Sequence, residues 1–186
     1  MIYYDRYCVE GCENKEISQR FLRAVLACSD AFSLIYFRYR TNEKYSEGVS
    51  RIKKRLDRFR LDSRDVTEWP GTRIISNEQG HSYRMVTYRV CMDILPILEE
   101  VDTLWDWDYP LFPMDPCFYK NGYAWFVVTA LEHWNMLYLE RKVPCVPLAS
   151  DLESLGVSLI PEKKVSASEL YYHPYYLKKL NKLPQK

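Results

Sequence analysis

The sequence predicts an α+β fold in a single domain: an antiparallel sheet whose C-terminal half is a meander, packed by about three helices. One observation is the Asn121-Gly122 pair between two β-forming segments, the strongest short-range signal of a hairpin. Another is that apolar residues recur at helical spacing before and after a segment that alternates with period two. A length of 186 residues suits one domain with its own core.

The first half of the chain predicts helices separated by strands. Residues 14–28 form a predicted helix with Asn14 as its N-cap, and residues 31–39 follow as a strand. Residues 43–60 form the clearest amphipathic helix, and residues 93–104 a shorter third one. The residues predicted to face inward from the three helices are Ile17, Phe21, Val25 and Cys28; Tyr45, Val49, Ile52, Leu56 and Phe59; and Ile94, Ile97, Leu98, Val101 and Leu104.

A hairpin is predicted between the second and third helices. Residues 66–72 read as an extended segment that Pro70-Gly71 stops. Residues 72–76 and 81–90 then form the two predicted strands, with a turn at 77–80 between them.

The meander occupies residues 116–140. Its middle strand, residues 123–130, is apolar at successive positions, so we expect it to be central and covered on both faces. A capping box from Ser150 to Glu153 opens a predicted helical turn that Gly156 ends, and residues 157–160 can add a short strand.

The composition of the chain becomes mostly polar after residue 160 and then rich in tyrosine and lysine. We therefore predict an α+β domain over residues 1–160 and a polar, then Tyr/Lys-rich, C-terminal tail over 161–186. Pro174 excludes one continuous helix through this tail, and such a tail is expected to dock on its own domain or on a partner.

Composition gives no indication of several classes of function. A net charge of +1 does not indicate nucleic acid or membrane binding, and no apolar stretch is long enough to cross a bilayer. The N-terminus lacks the pattern of a signal peptide, so we predict a cytoplasmic protein with reduced cysteines. Cys8 and Cys12 have no second ligand pair nearby, so no metal and no cofactor are predicted.

Residues 105–116 form a predicted loop rich in aromatic residues, prolines and carboxylates. Tryptophan beside aspartate is typical of an anchored, electrostatically steered interface. Since no motif of the common enzyme classes is present, we predict a non-enzymatic binding protein that acts by occupying a protein partner, with a homodimer also possible. The predicted partner-binding residues are Trp105, Asp106, Trp107, Asp108 and Tyr109.

Two alternatives remain open. One is an enzyme with a dispersed site that uses Cys117, Glu132 or His133. The other is a nucleic-acid-binding protein that uses the basic helix at residues 51–60, although acidic residues interrupt its charge.

Several aromatic and turn motifs resemble those of a loose group of small, uncharacterised bacterial proteins. The resemblance covers roughly residues 16–160 and implies an α+β architecture similar in style to immunity proteins, which neutralise toxins by binding. This chain has Ala130-Leu131-Glu132-His133 where Ser-His-Glu or Thr-His-Glu is common in that group. The motifs that carry the resemblance are Trp69-Pro70-Gly71-Thr72, Trp107 with Pro110, Pro116-Cys117-Phe118-Tyr119, Gly122 with Trp125, and Glu132-His133.

Overall fold

A computed structural model describes residues 2–76, 79–140, 152 and 154–182 of the chain. Eight strands among these residues form one antiparallel sheet, and two more form a small separate hairpin, so the predicted α+β class is confirmed. The strands are β1 (Tyr3–Glu10), β2 (Ala31–Arg38), β3 (Arg60–Asp65), β4 (Glu68–Trp69), β5 (Thr72–Arg73), β6 (Ser82–Arg89), β7 (Met114–Lys120), β8 (Tyr123–Thr129), β9 (Trp134–Glu140) and β10 (Ser158–Ser166).

The large sheet has the strand order β10-β1-β9-β8-β7-β2-β6-β3, and β4 pairs with β5 apart from it. Two longer helices and two single helical turns accompany the strands in the described part of the chain. They are α1 (Lys15–Ala27), α2 (Glu47–Leu56), α3 (Leu95–Leu98) and α4 (Leu177–Leu180).

The first helix agrees with its prediction. The side chain of Asn14 accepts hydrogen bonds from the backbone N–H groups of Glu16 and Ile17, at 2.9 and 3.3 Å, and so caps the N-terminus of α1. Phe21 and Val25 are fully buried, as their spacing predicts.

The second helix is shorter than predicted. Ser46 accepts a hydrogen bond from the backbone N–H of Val49, so α2 begins after residue 46 and not at residue 43. Its end passes through a 3-10 turn at Asp57–Phe59 directly into β3, a strand that the helical pattern concealed.

The third predicted helix is mostly absent, although its inward-facing residues are buried. A 3-10 turn at Met92–Ile94 leads into the single turn of α3, and a further 3-10 turn follows at Leu104–Asp106. Apolar spacing of three or four residues is compatible with separate turns as well as with one helix, and this explains the error.

The predicted hairpin between residues 72–76 and 81–90 is wrong. Residues Thr72–Arg73 instead turn back onto Glu68–Trp69 around Pro70-Gly71, where Gly71 has φ +84°. β6 has two longer partners, because it pairs along its whole length with β2 and on its other side with β3.

The meander is confirmed. Asn121 and Gly122 both have positive φ, 51° and 86°, which a two-residue type I′ turn requires. β8 lies between β7 and β9, and residues 124–129 are all buried, so the middle strand is central as predicted.

The strands at one edge of the sheet were not predicted in full. β1 carries no clear alternation, and β10 continues six residues beyond residue 160, where the composition changes. Charged side chains mark β10 as an exposed edge strand, and such strands lack the apolar pattern of buried ones. The predicted capping box from Ser150 to Glu153 lies outside the described residues, whereas Gly156 has the positive φ of a helix end, +77°.

Different parts of the chain pack against the two faces of the large sheet. The helical face packs against α1, α2 and the turns around α3, and it includes Phe32, Phe118 and Phe126. The opposite face, which we call the arm face, includes Cys117 and Tyr119 and is covered by residues 170–182, which we call the C-terminal arm. No helix among the described residues combines the length and the apolar character needed to cross a membrane.

Candidate functional site

The predicted partner-binding loop lies at one end of the sheet. At this end β8 finishes opposite the start of β9, and β2 finishes opposite the start of β6. The loop between residues 103 and 113 packs beside the turn at 130–133, which joins β8 to β9. Residues that are far apart in sequence are therefore brought together here.

A stacked pair of rings joins the loop to the turn. The indole of Trp105 and the imidazole of His133 lie with ring centroids 5.1 Å apart and planes 8° from parallel. His133 has φ +54°, an uncommon conformation for a residue other than glycine. The stack therefore holds a strained turn against the loop.

Apolar side chains project from this turn into solvent. Leu131 is 80% exposed, and Trp134, the first residue of β9, is 60% exposed. Glu132 and His133 are exposed as well, whereas Ala130 is buried. Exposed apolar groups of this size are typical of interaction surfaces.

Because it pairs with Thr129, Trp134 lies on the arm-face side of β9, whereas Trp105 packs on the helical-face core. We call this surface the aromatic rim, and it consists of Trp105, Asp106, Leu131, Glu132, His133 and Trp134.

The loop that carries Trp105 is held by its own hydrogen bonds. The carboxylate of Asp106 accepts from the backbone N–H and the hydroxyl of Thr103, at 2.6 and 3.1 Å, and so closes a capping box. The hydroxyl of Ser46 donates to the carbonyl oxygen of Pro110 at 2.6 Å and thereby fastens the loop to the start of α2. These hydrogen bonds fix the backbone of the loop that carries Trp105 and Asp106.

Trp107 lies inside the molecule. Its side chain is 1% exposed and packs in the helical-face core, with its ring 5.2 Å from that of Phe112. It can therefore support a contact surface by anchoring the loop, but its own side chain does not reach a partner in this conformation.

Tyr109 belongs to a second group of rings, at the ends of β2 and β6. Its ring makes edge contacts with those of Phe37 and Tyr39, at 5.0 and 5.7 Å. His81 contacts the same two rings, and Tyr39 is 53% exposed. The five predicted residues thus divide between two aromatic surfaces, with the buried Trp107 between them in sequence.

The buried carboxylate of Asp115 forms a hydrogen bond to the turn at residues 130–133 and another to the indole of Trp69. One oxygen of Asp115 accepts from the backbone N–H of Ala130 at 2.9 Å, and the other accepts from Nε1 of Trp69 at 2.8 Å. Burial raises the pKa of Asp115, these two hydrogen bonds lower it in part, and the nearby charges of Glu132 and Asp108 raise it further. Asp115 therefore lies within electrostatic reach of Glu132 and Asp108.

Acidic groups dominate the charge around the rim. Asp106 and Glu132 are exposed, and Asp108 is half-buried with one oxygen accepting from the backbone N–H of Tyr109 at 2.8 Å. Asp102 forms an ion pair with Lys15 at 2.5 Å. The remaining carboxylates make the rim complementary to a positively charged surface.

The residues of the alternative enzyme site are not brought together. Cys117 is 1% exposed on the arm face, and burial raises the pKa of its thiol far above the usual value. His133 lies at the exposed turn, against a tryptophan that packs on the helical-face core. A buried thiol with a raised pKa is a poor nucleophile.

The basic helix face is extensively paired with carboxylates. Glu100 binds both Arg51 and Arg55, and Asp57 lies 3.1 Å from Arg60. Arg58 and Lys53 also have acidic partners, at 3.7 and 4.0 Å. These ion pairs reduce the positive charge that the helix offers to phosphates.

The described residues contain no group of three or more His, Cys, Asp and Glu side chains placed to hold a metal ion. The sequence-based expectations of no metal and no cofactor stay predictions.

Sequence reasoning did not identify the exposed residues Leu131, Trp134 and Tyr39, or the half-buried His81, as members of these two surfaces. Their apolar or aromatic character resembles that of strand residues in a core, and exposure depends on which elements cover a strand end. The sequence did contain one signal, because Leu131 and Trp134 lie on either side of the polar pair Glu132-His133, which predicts an exposed turn.

Comparison with known proteins gives no relative from which to transfer a function. No protein-family model, no curated protein and no solved structure matches this chain.

Proposed function

We propose that this chain is a non-enzymatic protein-binding protein that acts by occupying a protein partner through the aromatic rim, in the manner of an immunity protein or inhibitor. The observation that carries the proposal is the Trp105–His133 stack, flanked by the exposed side chains of Leu131 and Trp134. A tryptophan anchor inside an exposed apolar surface is the usual centre of a protein interface.

The charge of the rim favours a basic partner. Asp106 and Glu132 are the exposed neighbours in sequence of the two stacked residues, and Asp108 is half-buried in the same loop as Trp105. Complementary charge of this kind accelerates association and disfavours acidic competitors. The cytoplasm is the compartment that the sequence predicts for this encounter.

Capture from the native cells with a tagged copy of the chain tests the proposal. The test variant carries Leu131→Ser and Trp134→Ser, which remove exposed apolar groups and leave the core intact. The matched control is Met92→Ser, because Met92 is 77% exposed and follows the opposite end of β6. All three proteins should unfold at similar temperatures.

The expected result is a stoichiometric protein that the wild type and the control retain and the rim variant loses. A partner retained equally by all three proteins would assign binding to another surface. Recovery of nucleic acid in place of protein would favour the basic helix instead.

A further inference from the structure

The central strands of the sheet separate at the end opposite the aromatic rim. β8 pairs with β9 only from Phe126 to Thr129, opposite Trp134–Leu137. Beyond that point β9 continues beside β1, so that Glu140 lies opposite Tyr4. The first residues of β8 therefore lack β9 as a neighbour on that side.

The C-terminal arm fills the gap as a short strand. The backbone N–H of Ala124 donates to the carbonyl oxygen of Tyr171 at 3.0 Å, and the N–H of His173 donates to the carbonyl of Gly122 at 2.7 Å. Tyr123 and Tyr172 form the antiparallel bridge between these two bonds, with ring centroids 4.8 Å apart. The arm thus completes the sheet where β9 leaves it.

The side chains of the arm then cover the arm face. Nε2 of the buried His173 lies 2.8 Å from the hydroxyl of Thr87, and the hydroxyl of Tyr176 accepts from the backbone N–H of Gly122 at 2.9 Å. The ring of Tyr176 packs 5.7 Å from that of Tyr119. These contacts join the arm to the body of the domain.

The arm is joined to the body by a short exposed connection. β10 ends at Ser166, and a 3-10 turn at Ala167–Glu169 precedes the first residue of the arm. Cavities of about 420 and 270 Å³ lie beside the inserted strand, one lined by Leu170 and Tyr171 and the other by Tyr123 and Trp125. The inserted strand is therefore bordered by grooves that are open to solvent.

We propose that the C-terminal arm is exchangeable, and that the arm of a second copy of this chain occupies the gap beside β8 to form a strand-swapped dimer. The occupant is a second copy because the groove already fits Tyr172, His173 and Tyr176. An exchanged arm makes the same contacts as the original one, so concentration alone can shift the equilibrium towards dimer. This dimer does not depend on the aromatic rim, which lies at the other end of the sheet.

Crosslinking between two single variants tests the exchange. Both variants carry Cys28→Ser, because the native Cys28 lines the same cavity as residue 123 and its thiol would compete on oxidation. One variant also carries Tyr123→Cys and the other Tyr172→Cys, so the introduced thiols meet only when the arm of one copy lies in the groove of the other. The two proteins are mixed at high concentration near pH 4, close to the pKa of His173, which burial lowers to about 4. They are then returned to neutral pH and oxidised, and the linked peptides are identified by mass spectrometry.

Two control proteins define the outcome. The double variant with both substitutions should close the disulfide within one chain, since opposite residues of antiparallel strands lie close enough to be bridged. A mixture of Tyr123→Cys with Leu131→Cys measures linkage by random collision, because Leu131 lies at the other end of β8.

The proposal expects a heterodimer linked between positions 123 and 172, at several times the yield of the collision control. A double variant that closes within one chain, together with single variants that do not link above the control, would overturn it. Failure of the double variant to close would overturn it too, because the arm would then not occupy the groove in solution.

Discussion

The carboxylate of Asp115 accepts a hydrogen bond from Nε1 of Trp69 across 2.8 Å, and this bond joins the β4–β5 hairpin to the meander. Its second oxygen holds the backbone of Ala130, so a single side chain fastens the hairpin and the turn of the aromatic rim together. Gly71, in the same hairpin, faces Thr129, and a Cβ added there would lie 2.6 Å from Cγ2 of that residue. The hairpin is therefore held against the end of β8.

Asp115→Asn tests the contribution of this carboxylate. Asparagine tolerates the φ of +51° at this position, so the backbone strain is unchanged, but its amide can accept only one of the two donated hydrogen bonds. We expect the free energy of unfolding to fall by about 1–3 kcal/mol. Urea denaturation measures the loss, and an unchanged midpoint would show that the two bonds contribute little.

Gly48→Ala should destabilise the protein although alanine is the better helix former. Helix propensity favours alanine by about 1 kcal/mol. A Cβ at this position would lie 2.3 Å from the carbonyl oxygen of Leu111, in the loop that carries Trp105. Overpacking against backbone costs about 1–3 kcal/mol, so the net change in stability is a loss. Thermal unfolding checks this, with Ser50→Ala on the exposed side of α2 as the control.

Tyr36 and Tyr88 form a hydrogen-bonded pair between their hydroxyls, 2.5 Å apart and fully buried in the helical-face core. Burial raises the pKa of each phenol, so both hydroxyls stay protonated at neutral pH. Tyr36→Phe should lower the free energy of unfolding by about 1–3 kcal/mol, because it leaves the other hydroxyl without its partner.

The double variant Tyr36→Phe/Tyr88→Phe distinguishes the energy of the hydrogen bond between the two hydroxyls from the packing of the two rings. Since it removes both polar groups, its cost should be smaller than the sum of the two single costs. Strict additivity in a urea double-mutant cycle would contradict an interaction between the two hydroxyls.

The free energy of unfolding should fall as the pH is lowered from 6.5 to about 4, and His173 is the residue responsible. The imidazole is 1% exposed, and burial, aided by the charge of Arg64 and opposed by Asp62, lowers its pKa from 6.5 to about 4. The unfolded chain therefore takes up a proton first as the pH drops. The contribution of His173 is fully present above pH 6.5 and is lost by about pH 4, for a total of about 3 kcal/mol.

His173→Gln is the control for this pH dependence. Glutamine keeps a polar group near Thr87 and does not titrate, so the slope of stability between these two pH values should flatten. Asp115 acts in the opposite sense at pH values above its ordinary pKa of 3.8, because its raised pKa favours the folded state as the pH falls. A wild-type slope that persists in the variant would assign the effect to another group.

Local chemistry explains which elements the sequence predicted well. Asn14 caps α1 through contacts within three residues, and Asn121-Gly122 turns the chain through its own backbone preference. The apolar middle strand of the meander was placed correctly at the centre of the sheet because both of its faces must be covered. These features depend on neighbouring residues, which a sequence displays directly.

The predicted binding loop shows where such reasoning stops. Trp105 and Trp107 are two residues apart and similar in character, yet one reaches the rim and the other is buried. The difference arises from Phe112, which packs on Trp107, and from His133, which stacks on Trp105. Neither contact has a signature in the composition of the loop.

The sequence by itself determined the α+β class, the meander, the capped first helix and the aromatic, acidic character of the loop. The tertiary structure alone decided that β6 pairs with β2 and β3, that the C-terminal arm fills the gap beside β8, and that Cys117 and His133 lie apart. Helices and turns arise from interactions between near neighbours in the chain. Strand partners, buried faces and surface sites arise from long-range packing, in which competing partners differ by small free energies that no local pattern records.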